Sequence, residues 1–163
     1  MAKESKKIIG INPGTRYMGI AVFNGRELMD WRIKVLKGRW SKEKMEKALS
    51  IISDFIERYQ PNVLAIKKLH PSRKSRNLDQ LVAKIKEFSR RKSLKVHQYS
   101  IKDLEKLFIQ EKKLNKKNLA EAIVSENPVL FHEQQKEKSQ KNPYHIRMFE
   151  AVALASACAQ RLD

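Results

Sequence analysis

Residues Ile8–Leu28 read IIGINPGTRYMGIAVFNGREL and contain two short apolar runs, each followed by a turn signal. The first run is β-branched and ends before Pro13-Gly14, a dipeptide that is typical of a turn. The second run, Met18–Phe23, ends before Asn24-Gly25, which is a strong signal for a hairpin. Because the apolar segment Leu28–Val35 follows, this part of the chain predicts three strands joined as an antiparallel meander.

The remainder of the chain alternates strands with helices. Short apolar runs predict two further strands, Val63–Ile66 and Leu94–Tyr99. Apolar residues at helical spacing predict the helices, and the polar stretch His132–Asn142 predicts a solvated loop or a helix extension. We expect the helices to begin at Ser41, Asn77, Ser100, Asn115 and Asn142-Pro143. A meander followed by this alternation predicts an α/β fold with a mixed sheet and helices on both faces, as a single domain over residues 1–163.

The composition favours a polyanionic partner. The 163 residues include 35 Lys+Arg and 18 Asp+Glu, which gives a formal net charge of +17. A folded domain with this charge is typical of proteins that bind nucleic acid. The apolar runs are far shorter than the ~20 residues of a membrane span, so we expect no membrane partner. One cysteine, Cys158, excludes an internal disulfide, favours a cytoplasmic location and predicts a buried packing residue.

Four segments together resemble one protein family. Residues Ile8–Leu28 resemble the opening of the RuvC-like branch of the ribonuclease H-like superfamily, which includes Holliday junction resolvases. The family has an apolar strand that ends in Ile-Glu, and this segment is resembled by YQPNVLAIKKLH. Its Lys-led helix is resembled by KKNLAEAIVSENPVL, and its last helix by RMFEAVALASA. The resemblance implies a ribonuclease H-like fold, in agreement with the predicted strand order. The sugar-kinase and actin superfamily shares the first hairpin, but it needs two such lobes and therefore a longer chain.

The resemblance also implies a chemistry, in which carboxylates hold two magnesium ions that cleave a phosphodiester. The positions that match the family's catalytic acids are Asn12, Lys67, Glu150 and, as in some members, Arg147. Their summed charge is positive, so the site should repel divalent cations and attract phosphate. We therefore expect no metal and no cofactor, with Glu150 as the only acidic candidate ligand. Magnesium or manganese would be required only if the chain is an active nuclease.

Two of these positions have simpler interpretations. Asn12 precedes Pro13-Gly14 and would also suit a residue that only serves the turn. Glu150 lies three residues after Arg147, so it would also suit a surface residue that pairs with this arginine along a helix.

Basic residues continue from the position of Lys67. The segment Lys67–Arg76, KKLHPSRKSR, holds five Lys/Arg and no acid, and it leaves a buried strand where open α/β sheets bind ligands. A second basic cluster, which includes Lys116 and Lys117, surrounds the start of a predicted helix. The N-terminus of a helix can bind phosphate. For both basic clusters, the alternative is an ordinary solvated surface. Tyr17 and Trp40 would suit either base stacking or core packing. The predicted nucleic-acid-binding residues are Arg16, Lys67, Lys68, His70, Arg73, Lys74, Arg76, Lys116 and Lys117.

The sequence therefore predicts a catalytically inactive relative of Holliday junction resolvases that binds the phosphate backbone of branched or duplex nucleic acid. DNA is the first expectation and RNA the second, and the resemblance implies a homodimer as one option. One alternative is a divergent metal-dependent endonuclease that recruits Glu150, His70 or His145 with another acid. Another is a non-catalytic partner or scaffold subunit of an active nuclease.

Overall fold

The computed structural model describes residues 6–69, 75–108, 116–139 and 144–162. Five strands form one sheet in the order β3-β2-β1-β4-β5. The strands are β1 (Lys7–Asn12), β2 (Tyr17–Asn24), β3 (Glu27–Val35), β4 (Val63–Lys67) and β5 (Lys95–Tyr99). Strands β1, β2 and β3 are antiparallel neighbours, whereas β4 pairs in parallel with both β1 and β5. The predicted meander and the mixed sheet are therefore confirmed.

Six α-helices and one short 3₁₀ helix complete the described fold. They are α1 (Lys42–Tyr59), α2 (Arg76–Arg91), α3 (Ile101–Phe108), α4 (Lys116–Glu126), the 3₁₀ turn Pro128–Leu130, α5 (Phe131–Ser139) and α6 (Tyr144–Leu162). The polar stretch that begins at His132 is helical as far as Ser139, which agrees with a helix extension rather than a loop. Within the described ranges, no helix combines the length and the apolarity that crossing a membrane would require.

The two faces of the sheet are buried under different helices. Successive side chains of a strand point to opposite faces, and β1 shows this directly. Ile8 packs in the core beneath α6, α4 and α3, whereas Ile9 and Ile11 pack in the core beneath α1 and α2. The structure thus confirms the predicted α/β architecture with helices on both faces of the sheet.

The helix starts agree with the sequence in part. The Ser41 side chain accepts a hydrogen bond from the Lys44 amide, as expected of an N-cap. Ser100 and Asp103 cap α3 reciprocally, because the side chain of each accepts a hydrogen bond from the amide of the other. The expected caps at Asn115 and Asn142-Pro143 lie outside the described residues.

One predicted cap is wrong. Helix α2 begins two residues before the expected start, and its N-cap is Ser75 rather than Asn77. The Ser75 backbone is extended and its hydroxyl accepts from the Leu78 amide at 3.4 Å, whereas Asn77 already lies inside the first turn. Both residues suit a cap locally, and the hydroxyl that precedes the first helical turn takes the role.

Candidate nucleic-acid interface

The ends of two central strands bring the first two candidate residues together. Strands β1 and β4 are parallel neighbours, with Ile11 opposite Ile66 in their register. Asn12 is the last residue of β1, and Lys67 is the last residue of β4. Because parallel neighbours end at the same edge of the sheet, the two side chains start side by side.

Helix α6 supplies the third residue because two glycines let it lie directly on the sheet. A Cβ atom at Gly10 would stand 2.4 Å from the carbonyl oxygen of Ala151, and one at Gly19 would stand 2.1 Å from that of Arg147. Only hydrogen fits at these two positions, so the helix backbone contacts β1 and β2. This close approach places Glu150 against the end of β1.

Glu150 accepts hydrogen bonds from both strand-end residues. Its Oε2 atom lies 2.5 Å from Asn12 Nδ2 and 3.0 Å from Lys67 Nζ. Asn12 is 1% exposed, and the side chains of Glu150 and Lys67 are 9% and 20% exposed. The interpretation of Asn12 as a turn residue alone is therefore wrong, because its amide binds the last helix across the core. Glu150 likewise is not a surface residue.

The Arg147 side chain hydrogen-bonds to the β1–β2 turn instead of to Glu150. Its guanidinium donates to the carbonyl oxygen of Pro13 at 3.2 Å, and its own carbonyl oxygen lies 3.4 Å from Asn12 Nδ2. It therefore tethers the β1–β2 turn to α6, and the partner of Glu150 is Lys67 rather than this arginine. The region around the carboxylate thus carries two cations and one anion.

These residues do not fit a magnesium ion. Magnesium requires several oxygen ligands in near-octahedral geometry, with carboxylates the preferred protein ligands. The described residues supply one carboxylate to this place, and its Oε2 is already bound by an ammonium and an amide N–H. Across the described ranges, no group of three His, Cys, Asp or Glu side chains is placed to hold a metal ion.

Other predicted binding residues lie around the same edge of the sheet. Lys68 is exposed and follows β4 directly, with its amide donating to the carbonyl oxygen of Tyr99 at 2.9 Å. Arg76 is exposed at the first position of α2, and Arg16 is exposed in the turn between β1 and β2. His70, Arg73 and Lys74 lie outside the described residues, as do the side chains of Lys116, Lys117 and His145.

Two buried groups of the last strand and the last helix stay neutral. Burial raises the pKa of Tyr99, the last residue of β5, to about 12. Burial likewise raises the pKa of the Cys158 thiol, which is 1% exposed. Cys158 is thus a buried packing residue, as predicted, with a protonated and unreactive thiol at neutral pH.

Three further cations at this side of the sheet were not predicted from the sequence. Lys37, Arg39 and Lys44 line a cleft together with Arg16, at the side of the sheet where β2 begins and β3 ends. The signal that identifies them is the run Lys37–Lys44, KGRWSKEK, in which basic residues flank a tryptophan. Without the tertiary structure, this run resembles the solvated start of a helix.

The fold belongs to the ribonuclease H-like class of mixed α/β sheets. Two solved structures of Thermus thermophilus RuvC share it over 96% of both chains. One, described as T. thermophilus RuvC in complex with Holliday junction substrate, superposes with a TM-score of 0.74 at 13% sequence identity. The other, of T. thermophilus RuvC, superposes with a TM-score of 0.71 at 15% identity. No family sequence model and no curated protein sequence matches the chain.

Proposed function

We propose that this protein binds the phosphate backbone of nucleic acid at the carboxyl-terminal edge of β1 and β4, and does not cleave it by two-metal chemistry. The observation that carries the proposal is the hydrogen bonding of Glu150. Its Oε2 is bound by Lys67 and Asn12, so the carboxylate neutralises an ammonium inside the protein instead of facing a cation from solvent. With Arg147 included, the cluster keeps one net positive charge, which favours an anion over a metal ion.

Nucleic acid is the anion that the rest of the molecule favours. The formal net charge of +17 attracts polyanions, and Lys68, which follows Lys67 directly, and Arg76, at the start of α2, are both exposed. Lysine and arginine contacts to phosphate oxygens position a protein on nucleic acid without reading its sequence. The RuvC structure with a Holliday junction substrate shares this fold. We therefore propose branched DNA as the first ligand to test.

Further features belong to the same proposal. Contacts to the phosphate backbone do not distinguish DNA from RNA. The preference for DNA as the ligand is therefore part of what we propose. So are the roles of Arg16, His70, Arg73, Lys74, Lys116 and Lys117 in phosphate binding, a homodimer, a cytoplasmic location and a single domain over residues 1–163.

A binding and cleavage assay tests the proposal. The protein is titrated into labelled four-way DNA junction, DNA duplex and RNA duplex, and each complex is then incubated with Mg²⁺ or Mn²⁺. We expect binding without cleavage. The double variant Lys68→Ala/Arg76→Ala should bind all three ligands more weakly. Its matched control is Lys95→Ala, which removes one exposed cation at the start of β5, on the opposite edge of the sheet.

Two outcomes contradict the proposal. Metal-dependent cleavage that disappears in a Glu150→Ala variant would establish the divergent nuclease instead. Failure of the wild-type protein to bind any of the three ligands would remove nucleic acid as the partner and favour the scaffold alternative.

A further inference from the structure

A cleft of about 660 Å³ opens between the β1–β2 turn, the end of β3 and the start of α1. This volume lies within the range of sites for small ligands, roughly 300–1,000 Å³. Its lining includes four cations and two aromatic rings, namely Arg16, Lys37, Arg39, Lys44, Tyr17 and Trp40. None of the lining residues is acidic. The cleft is therefore concave, cationic and partly aromatic, which is the character of a site for an anion with a flat apolar part.

Lys44 is the most unusual of these cations because it is only 8% exposed. Its ammonium donates to the carbonyl oxygen of Gly38 at 2.6 Å, and within the described ranges no carboxylate forms an ion pair with it. Burial, followed by repulsion from Arg16, lowers the pKa of Lys44 below its usual value. A buried ammonium without a carboxylate is costly, so an anion bound in the cleft would relieve that cost.

The start of α1 adds to the positive potential. The helix begins at Lys42, between the two lining residues Trp40 and Lys44. The N-terminus of a helix carries a partial positive charge that favours phosphate. The anion site thus rests on a buried cation and on a helix N-terminus together.

The aromatic rings indicate what the anion carries. Trp40 and Tyr17 are half-buried, with Lys44 Nζ 5.9 Å from the Trp40 ring centroid and Arg16 Cζ 5.9 Å from that of Tyr17. An aromatic ring beside cations suits a nucleobase that stacks while its phosphate is bound. Stacking requires an open base face, which a base inside a duplex does not offer.

We propose that this cleft binds one unpaired nucleotide of a nucleic-acid strand, with its phosphate at Lys44, Arg16 and Arg39 and its base on Trp40. The inference rests on the proposed function, because it takes the ligand to be nucleic acid. The cleft and the cluster at Glu150 share one edge of the sheet, since Tyr17 begins β2 at the end where β1 finishes. A branched ligand whose duplex lies at Lys68 would then place an unpaired nucleotide in the cleft.

Tryptophan fluorescence tests the site directly because the chain has two tryptophans. In a Trp31→Phe variant the emission comes from Trp40, and in the control variant Trp40→Phe it comes from Trp31, which packs against the α6 side of the sheet. Titration with single-stranded oligonucleotide should quench the first variant and leave the second nearly unchanged. Duplex of the same length should quench the first variant much less.

Affinity measurements provide the second readout. Arg39→Ala, at an exposed position, and Trp40→Leu should each weaken binding of single strands about tenfold and leave duplex binding unchanged. Lys68→Ala should weaken binding of both ligands. A free nucleoside monophosphate should compete only at concentrations far above those of the oligonucleotide, because it contacts one site instead of a surface.

The outcomes separate this inference from the proposed function. The cleft proposal alone is overturned if oligonucleotide leaves the Trp40 emission unchanged and if Arg39→Ala and Trp40→Leu keep the wild-type affinity for single strands. In that case Lys68→Ala still weakens duplex binding. If the free nucleotide quenches the Trp40 emission but no oligonucleotide binds, the cleft proposal and the proposed function are both overturned.

Discussion

Glu150 shows how a single carboxylate can stay buried in this protein. Removing a charge from water is costly unless the group gains a counter-charge and hydrogen bonds. The ammonium of Lys67 and the amide of Asn12 provide both at the same oxygen atom. The ammonium of a flexible side chain thus supplies the counter-charge of this carboxylate inside the protein.

Lys67→Met should destabilise the protein because it leaves Glu150 without its counter-charge. We expect a loss of about 2 kcal/mol in the free energy of unfolding, below the ~3–5 kcal/mol of a fully buried pair, since 20% of the Lys67 side chain stays exposed. Urea denaturation measures the loss. Lys68→Met, at the exposed neighbour, is the matched control and should change stability little. Equal stability of the two variants would contradict the ion pair.

Introducing carboxylates at Asn12 and Lys67 should create a metal site. In the double variant Asn12→Asp/Lys67→Glu, three carboxylates meet at the end of β1, and their repulsion should lower the melting temperature in metal-free buffer. Mn²⁺ should then stabilise the variant, by about 2.7 kcal/mol at roughly 100 times its Kd. Thermal unfolding with and without Mn²⁺ measures the effect, with the wild-type protein as the control. A variant that gains no stability from Mn²⁺ would show that these positions do not form a metal site.

Helix α6 determines the site at the scale of secondary-structure elements. It lies on β1 and β2 because glycines face its backbone, and the small residues Ala151 and Ala155 face Gly10. Close packing leaves no room for an added methyl group without a shift of the whole element. The distance between Glu150 and the strand ends therefore depends on glycines that take no part in the hydrogen bonding.

Gly10→Ala and Gly19→Ala should push α6 away from the sheet. We expect each to cost about 3 kcal/mol of stability, at the upper end of overpacking substitutions, because the clash is with backbone atoms. The control is Gly38→Ala, where an added Cβ meets nothing within 4 Å but the backbone φ is +89°. It should cost about 1 kcal/mol through the backbone conformation alone. Chemical denaturation distinguishes the two, and equal losses would contradict the close approach of α6.

The cap of α3 gives a pH-dependent element. The amide N–H of Ser100 donates to the Asp103 carboxylate at 2.8 Å, which lowers the pKa of this carboxyl. In the unfolded protein an aspartate has a pKa of about 3.9, so the ionised Asp103 stabilises the fold at pH values above this. The stabilisation is lost as the pH falls through the lower pKa of the folded protein.

Asp103→Asn should therefore cost roughly 0.5–1 kcal/mol at neutral pH and almost nothing at about pH 2. Urea denaturation across this range measures the difference from the wild-type protein. Glu105→Gln removes one charge from the same helix and serves as the control. A loss that stays constant with pH would contradict a role for the ionised Asp103 cap.

Part of the positive charge of the molecule lies at one end of the sheet. The cleft with Arg16 and Lys44 and the exposed Lys68 lie at the ends of β1, β2 and β4 on one edge of the sheet. Within the 163 residues, the excess of 35 Lys+Arg over 18 Asp+Glu thus contributes a directed positive surface. A surface of this kind releases counterions when it binds nucleic acid.

Binding affinity should fall linearly with the logarithm of salt concentration. For DNA duplex, we expect the double variant Lys68→Ala/Arg76→Ala to reduce the magnitude of this slope by about 2, or about 1 for each lost phosphate contact. Lys95→Ala, on the opposite edge, should leave the slope unchanged. Fluorescence anisotropy at several salt concentrations measures it. A slope that responds equally to both sets of substitutions would indicate binding by net charge alone.

The sequence by itself determined the elements and their order. The strands of the meander, the alternation after it and the cap of α3 follow from periodicity and from side chains a few residues apart, so local patterns suffice to predict them. The start of α2 was missed because Ser75 and Asn77 are both good caps, and the extended backbone at Ser75 selects between them.

Only the tertiary structure decided what the site contains. The resemblance mapped Asn12, Lys67 and Glu150 to one place, but the shared carboxylate oxygen joins residues 138 and 83 positions apart. The cleft likewise assembles Arg16, Lys44 and the end of β3 from separate segments. Such contacts depend on how closely α6 and α1 pack on the sheet, and no local pattern carries that information.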